Sequence, residues 1–127
     1  MPTILVAEDE KDIRELIAFT LRFGGFEVEE AANGIEAVEK ARKLRPDLII
    51  LDVRMPKKTG YEACQELKET EETKDIPIVF LSAKGQKTEI IEGMKLGAVD
   101  YIIKPFEAEL LPEQMAEILK ETTRHKK

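Results

Sequence analysis

Five short runs rich in Val, Ile and Leu alternate along this chain with five segments of helical period, and that alternation restricts the fold more than any other feature. The runs are Thr3–Ala7, Phe26–Glu29, Leu48–Leu51, Ile76–Leu81 and Val99–Ile103, each of strand length. Between and after them apolar residues recur three or four positions apart. These are Ile13, Leu16, Ile17, Thr20 and Leu21; Ala37, Val38, Ala41 and Leu44; Tyr61, Cys64 and Leu67; Ile90, Ile91 and Met94; and Leu111, Met115, Ile118 and Leu119. The pattern predicts βαβαβαβαβα. Such alternation requires right-handed crossovers, a parallel sheet and helices on both of its faces. The first, third and fourth read as continuous apolar runs, the first from Ile4, as strands covered on both sides should.

The punctuation agrees. Gly24-Gly25, Arg45-Pro46 and Gly97 stand where the first, second and fourth helices need a left-handed cap or a break. Pro77 sits at the start of a strand, where its missing N–H costs little. Pro112 falls in the early turns of the last helix, tolerable only near the start. We expect one domain over residues 1–122 and a basic C-terminal tail over 123–127, carrying the lone histidine, His125.

Composition narrows the function. With 127 residues and 43% hydrophobic content the chain can bury one ordinary core. No apolar run reaches the length of a membrane span, so we expect a cytoplasmic protein without a membrane partner. Twenty Lys and Arg against 26 Asp and Glu give a net charge of −6, which disfavours direct nucleic-acid binding. Cys64 is the single cysteine, flanked by no histidine or basic neighbour, and reads as a small buried hydrophobe.

In an open parallel sheet, ligands bind beyond the carboxyl ends of the strands, where the winding direction switches. Here the first strand ends in Glu8-Asp9, the third in Asp52, the fourth in Ser82 and the fifth in Lys104. The second runs out into Glu30-Ala31-Ala32. If the strand order is 2-1-3-4-5, the four bearing chemistry are neighbours about 4.8 Å apart. Glu8-Asp9-Glu10 alone reads equally well as a solvated acidic loop or as acids complementing a helix dipole. Asp52, closing an apolar run on the adjacent strand, favours a site instead, while Glu10 keeps the helix role. Converging carboxylates at a loop-rich rim suit a hard divalent cation that also takes waters and a phosphate.

These residues resemble those of the receiver domains of bacterial response regulators, and the resemblance covers essentially the whole chain. It is carried by Glu8-Asp9, by LDVRMPKKTG with Asp52, Pro56 and Gly60, by Ser82-Ala83, and by Asp100-Tyr101-Ile102-Ile103-Lys104-Pro105-Phe106. It implies a flavodoxin-like, doubly wound α/β fold of sheet order 2-1-3-4-5. It also implies a phosphorylation-activated signalling switch rather than a turnover enzyme. Asp52 would accept a phosphoryl group from a sensor histidine kinase or phosphotransfer protein. Mg²⁺, or another divalent cation such as Mn²⁺, would be held by Asp9, Asp52 and the Arg54 carbonyl, with Glu8 acting through a water.

By the same resemblance Lys104 supplies a second cation, Ser82 a hydroxyl for the phosphoryl group, and a cis Lys104–Pro105 bond aims the lysine. Tyr101 would swing between exposed and inward positions; an ordinary half-buried strand aromatic is the competing reading. The response would re-present the surface of the fourth helix, fifth strand and fifth helix. A downstream protein or fused output domain would read it, with the chain a monomer that dimerises, if at all, on phosphorylation. Glu8 departs from the commoner aspartate and Ser82 from the commoner threonine. Arg54 and Lys84 occupy two variable positions beside the site, where their charge would modulate the lifetime of the acyl phosphate.

Other readings fit less well. An aspartyl-phosphate phosphatase wants a second acid two residues after the nucleophile, where this chain has Arg54. A flavin protein wants a neutral loop after the first strand. A receiver that binds partners without phosphorylation usually lacks one of the acid pair, Asp52 or Lys104, and all are present.

Overall fold

The structure, a computed structural model, describes residues 1–83 and 87–125. Five strands alternate with five helices in the order β1 (Thr3–Ala7), α1 (Lys11–Phe23), β2 (Glu27–Ala31), α2 (Gly34–Leu44), β3 (Leu48–Asp52), α3 (Gly60–Glu69), β4 (Ile78–Ala83), α4 (Lys87–Lys95), β5 (Asp100–Lys104) and α5 (Leu111–His125). A 3-10 turn over Ala108–Leu110 leads into α5. All neighbouring strands pair in parallel, in the order β2-β1-β3-β4-β5. This is the flavodoxin-like, doubly wound sheet expected.

Side-chain alternation along the inner strands divides the core in two. Leu5, Ala7, Ile49, Leu51, Ile78 and Phe80 pack with Ala37, Val38 and Ala41 of α2 and Ala63, Cys64 and Leu67 of α3. Ile4, Val6, Leu48, Ile50, Val79 and Leu81 pack on the opposite face with Ile17, Ala18 and Leu21 of α1 and Leu111 and Met115 of α5. Each buried Leu or Ile side chain contributes about 1.5–3 kcal/mol relative to exposure, so register is strongly specified. A slip of one residue would exchange the two faces.

The boundaries shift where polar residues sit in strands. β2 runs to Ala31, beyond the expected Glu29, because an edge strand needs only its backbone to pair and can turn Glu29 outward. β4 runs through Ser82 to Ala83, in register with Ile103 and Lys104. β5 buries only Ile102 among its five residues, as befits the other edge. Caps follow expectation at Gly25 and Gly97, with φ of 99° and 105°, and at Arg45, which takes the left-handed conformation itself. The α5 helix accepts Pro112 at its second position and continues into the basic residues as far as His125.

The helical period misassigns two side chains in the first two helices and two of the three expected in the fourth. Leu16 and Leu44 are 49% and 42% exposed, while Ala18 turns inward in α1. Of the expected apolar face of α4, Ile90 is half-buried while Ile91 and Met94 are turned to solvent, and the buried residues are Glu89 and Gly93. Gly93 lies against the Phe80 ring, where a Cβ would come within 2.6 Å of Cδ2. The helix therefore approaches β4 through its smallest residue, and that rotation brings Glu89 to the rim of the sheet.

Candidate functional site

The carboxyl ends of β1, β3, β4 and β5 form one rim. The Glu8 N–H donates to the Ala31 carbonyl at 3.0 Å, so the chain is still in sheet register one residue past β1. The Glu8 side chain is fully buried, with Oε2 accepting from the Glu10 N–H at 3.1 Å. Arg14 of α1 donates to the Glu8 carbonyl at 2.9 Å and pairs with Glu30. Asp52, the last residue of β3, is 5% exposed. Glu8, Asp9 and Asp52 each bring a carboxylate oxygen within 4.8 Å of the others.

Lys104 meets two of these acids from the end of β5. Its Nζ lies 2.8 Å from Glu8 Oε1 and donates to Asp52 Oδ2 at 3.3 Å. The Lys104–Pro105 peptide is cis. After Asp52 the chain turns sharply: the Gly60 N–H donates to the Val53 carbonyl, and a Cβ on Gly60 would stand 2.2 Å from the Asp52 carbonyl oxygen. Only glycine allows α3 to start this close to the end of β3. Thr59 and Glu62 close a capping box there, each side chain taking the other's backbone N–H.

One ammonium cannot neutralise three carboxylates. Burial, then Glu8 beside it, push the Asp52 carboxyl up to about 7 against the pull of Lys104. Burial also works to raise Glu8, but Lys104 and the Glu10 N–H outweigh it and hold Glu8 below its ordinary value. Asp9 is raised by partial burial and by Glu8. Burial works against the Lys104 charge, yet the two acids hold its ammonium above the usual lysine value. Glu8 Oε1 is buried, and although Lys104 touches it, no hydrogen bond is aligned on it. A buried acceptor with spare capacity beside two further carboxylates fits a hard cation with oxygen ligands.

The remaining expected residues divide. Ser82 lies within β4 and is buried, its hydroxyl donating to Glu89 Oε1 at 2.8 Å. Arg54 gives its N–H to Asp52 Oδ1 at 3.4 Å and sends its guanidinium to Glu89, with Nε and Nη2 at 2.9 and 2.8 Å from Oε2. Tyr101, in β5 register with Phe80, is 36% exposed. Lys84 lies outside the described residues. Cys64 is buried and burial pushes its thiol up, as suits an inert core residue. Glu89 is the site residue that pattern reading misses, because a lone acid in the first turn of a helix reads as a solvated complement to the dipole. Its burial follows from Gly93 one turn on.

Residues 4–116 match the response regulator receiver domain family. The chain belongs to that family. This receiver is 40% identical over 124 residues to the DNA-binding dual master transcriptional regulator RpaA of Synechocystis sp., covering 98% of this chain and 52% of that protein. It is 42% identical over 120 residues to the phosphate regulon transcriptional regulatory protein PhoB of Pseudomonas aeruginosa, covering 94% and 52%. The receiver thus spans about half the length of these curated relatives. Among solved structures, a putative response regulator from Chloroflexus aurantiacus matches with TM-score 0.89 at 37% identity, covering 94% of this chain and 98% of that one. The chemotaxis protein CheY4 of Vibrio cholerae matches with TM-score 0.86 at 36% identity, covering 93% and 98%. A receiver is a phosphorylation-regulated signalling switch rather than a turnover enzyme, and its acidic pocket here is Glu8, Asp9 and Asp52. Among the described residues no helix is long and apolar enough to cross a membrane.

Proposed function

We propose that Asp52 accepts a phosphoryl group from the phosphohistidine of a sensor kinase or phosphotransfer protein, and that the acyl phosphate changes which partner the receiver binds. The observation that carries this reading is the placement of Asp52, buried at a strand end beside two acids and 3.3 Å from the Lys104 ammonium. One Asp52 oxygen attacks phosphorus. The P–N bond breaks and its electron pair stays on the departing imidazole. Such a transfer has little covalent chemistry for the protein to do beyond positioning and charge stabilisation.

Asp9, Asp52 and the Arg54 carbonyl would hold Mg²⁺ or Mn²⁺, with Glu8 acting through a water. When bound, the cation supplies positive charge for the phosphoryl oxygens. Lys104 favours the ionised carboxylate that attack requires, and follows the charge onto the phosphoryl group. Ser82, one residue before the end of β4, donates its hydroxyl to a phosphoryl oxygen. Its inward shift vacates space for Tyr101, which couples the site to the surface of α4, β5 and α5. Phosphorylation adds about −1.5 to −2 charge, enough to bias a two-state element coupled by about 1–3 kcal/mol. The Arg54 side chain tunes the lifetime of the acyl phosphate. A cytoplasmic location and a downstream protein or output domain as reader belong to the same reading.

Incubation with acetyl phosphate and Mg²⁺ tests it by intact mass. One phosphate should add to the wild-type chain and none to Asp52→Asn or to a sample treated with EDTA. A wild-type chain that stays unmodified would sink the reading.

A further inference from the structure

We infer that Glu89 is a positioning residue for the phosphoryl site: its carboxylate stands in for the phosphoryl group while Asp52 is unmodified, occupying donors that the phosphoryl group must recruit. The inference rests on Asp52 being the phosphoacceptor, and goes beyond it in assigning a role to an acid outside the metal cluster.

Three contacts converge on this residue, from β4, from the turn after β3 and from α3. The Ser82 hydroxyl donates to Oε1 at 2.8 Å, inside a buried environment. The Arg54 guanidinium, two residues past Asp52, brings Nε and Nη2 to Oε2 at 2.9 and 2.8 Å. The Tyr61 hydroxyl of α3 donates to the Glu89 backbone carbonyl at 2.8 Å and so fixes the helix turn that presents the side chain. Glu89 is only 9% exposed although charged side chains are almost never buried unless paired. Each of its oxygens is matched to a different donor, one a hydroxyl and one a guanidinium. These are the donor types that a phosphoryl oxygen takes.

The consequence is a competition. Ser82 has one hydroxyl proton to give. It cannot donate to Glu89 and to a phosphoryl oxygen on Asp52 at once. A second anion arriving at Asp52 also repels the Glu89 carboxylate, which Ser82 and Arg54 hold at the same rim. Capture of Ser82 by the phosphoryl group therefore releases Glu89, and with it the end of α4 that the carboxylate ties to β4 and to the turn after β3. In the resting state Glu89 opposes occupancy of the phosphoryl site; removal of its charge should favour occupancy.

The experiment measures binding of beryllofluoride, a tetrahedral anionic analogue of the phosphoryl group, to the Mg²⁺-loaded chain. Glu89→Gln keeps the volume and an acceptor for Ser82 but removes the charge that holds Arg54. It should tighten beryllofluoride binding by about 5-fold or more, while Mg²⁺ affinity without beryllofluoride moves by less than about 2-fold. Arg54→Ala should then weaken beryllofluoride binding about threefold more in the Glu89→Gln background than in wild type, since only there is the guanidinium unoccupied. Should the glutamine variant fail to fold, Glu89→Ala carries the same test, because it removes both the charge and the acceptors that hold Ser82 and Arg54. Unchanged or weaker beryllofluoride binding, or additive effects of the two substitutions, would overturn the inference alone. A wild-type chain that binds no beryllofluoride would overturn it together with the phosphoacceptor reading.

Discussion

At the scale of single residues, the three acids of the pocket carry different electrostatic loads. Without divalent cations, Asp52 keeps its proton in the fold up to about pH 7, against a value of 3.8 for an unperturbed aspartate. Between those values the folded state binds more protons than the unfolded chain. The stabilising contribution of the protonated form is therefore complete below about 3.8 and is lost as pH rises through 7. Glu8, held below its ordinary 4.5, contributes the opposite slope only in more acidic solution. Urea midpoints of the EDTA-treated chain should fall from pH 5 to pH 7.5, a range chosen to bracket roughly this window. Asp52→Asn should flatten that slope, and a slope unchanged by the substitution would contradict the assignment. Asp9 lies at the surface, where partial burial and then the carboxylates of Glu8 and Glu10 raise its carboxyl. Asp9→Asn should thus stabilise the metal-free chain by about 0.5–1 kcal/mol while weakening Mn²⁺ binding measured by titration. Glu8→Gln should not stabilise it, because it strips the half-buried Lys104 ammonium of a partner 2.8 Å away.

At the scale of elements, two glycines decide where helices begin and how closely they pack. Gly60 lets α3 start against the Asp52 carbonyl, and a Cβ there meets backbone at 2.2 Å, which cannot yield without moving the end of β3. Gly60→Ala should cost about 3 kcal/mol or more in chemical denaturation and abolish labelling by acetyl phosphate. Thr59→Ala, which removes only the capping box beside it, should cost about 1 kcal/mol and leave labelling in place. Gly93 plays the corresponding part for α4, whose hydrophobic period points the wrong way. Ile91 and Met94 look like a core stripe in the sequence, yet a helix seats its smallest residue wherever a ring already fills the space, here Phe80. Period 3.6 reports a face; it does not say which face wins when the apolar residues are few.

At the scale of the whole molecule, the receiver is a sheet whose rim is preassembled with too much negative charge, so ligands that relieve it should stabilise the fold by mass action. Mg²⁺ at about a hundredfold excess over its Kd should add ~2.7 kcal/mol, read as a rise in melting temperature that EDTA reverses and that Asp52→Asn diminishes. The alternation of five strands and five helices was legible in the sequence, because burial on one or both faces leaves a direct imprint as period 2, period 3.6 or a continuous apolar run. So were Glu8, Asp9, Asp52, Ser82 and Lys104, because in a parallel sheet every strand delivers its carboxyl end to the same rim. The pairing of Lys104 with both Glu8 and Asp52 needed the strand order, which brings together ends 96 and 52 residues apart. Glu89 was decided by tertiary structure alone. Its partners Ser82 and Arg54 come from β4 and from the turn after β3, and its burial depends on how a glycine seats a helix against a ring. Local periodicity carries no record of such a rotation, since it is set by the shapes that meet across the interface.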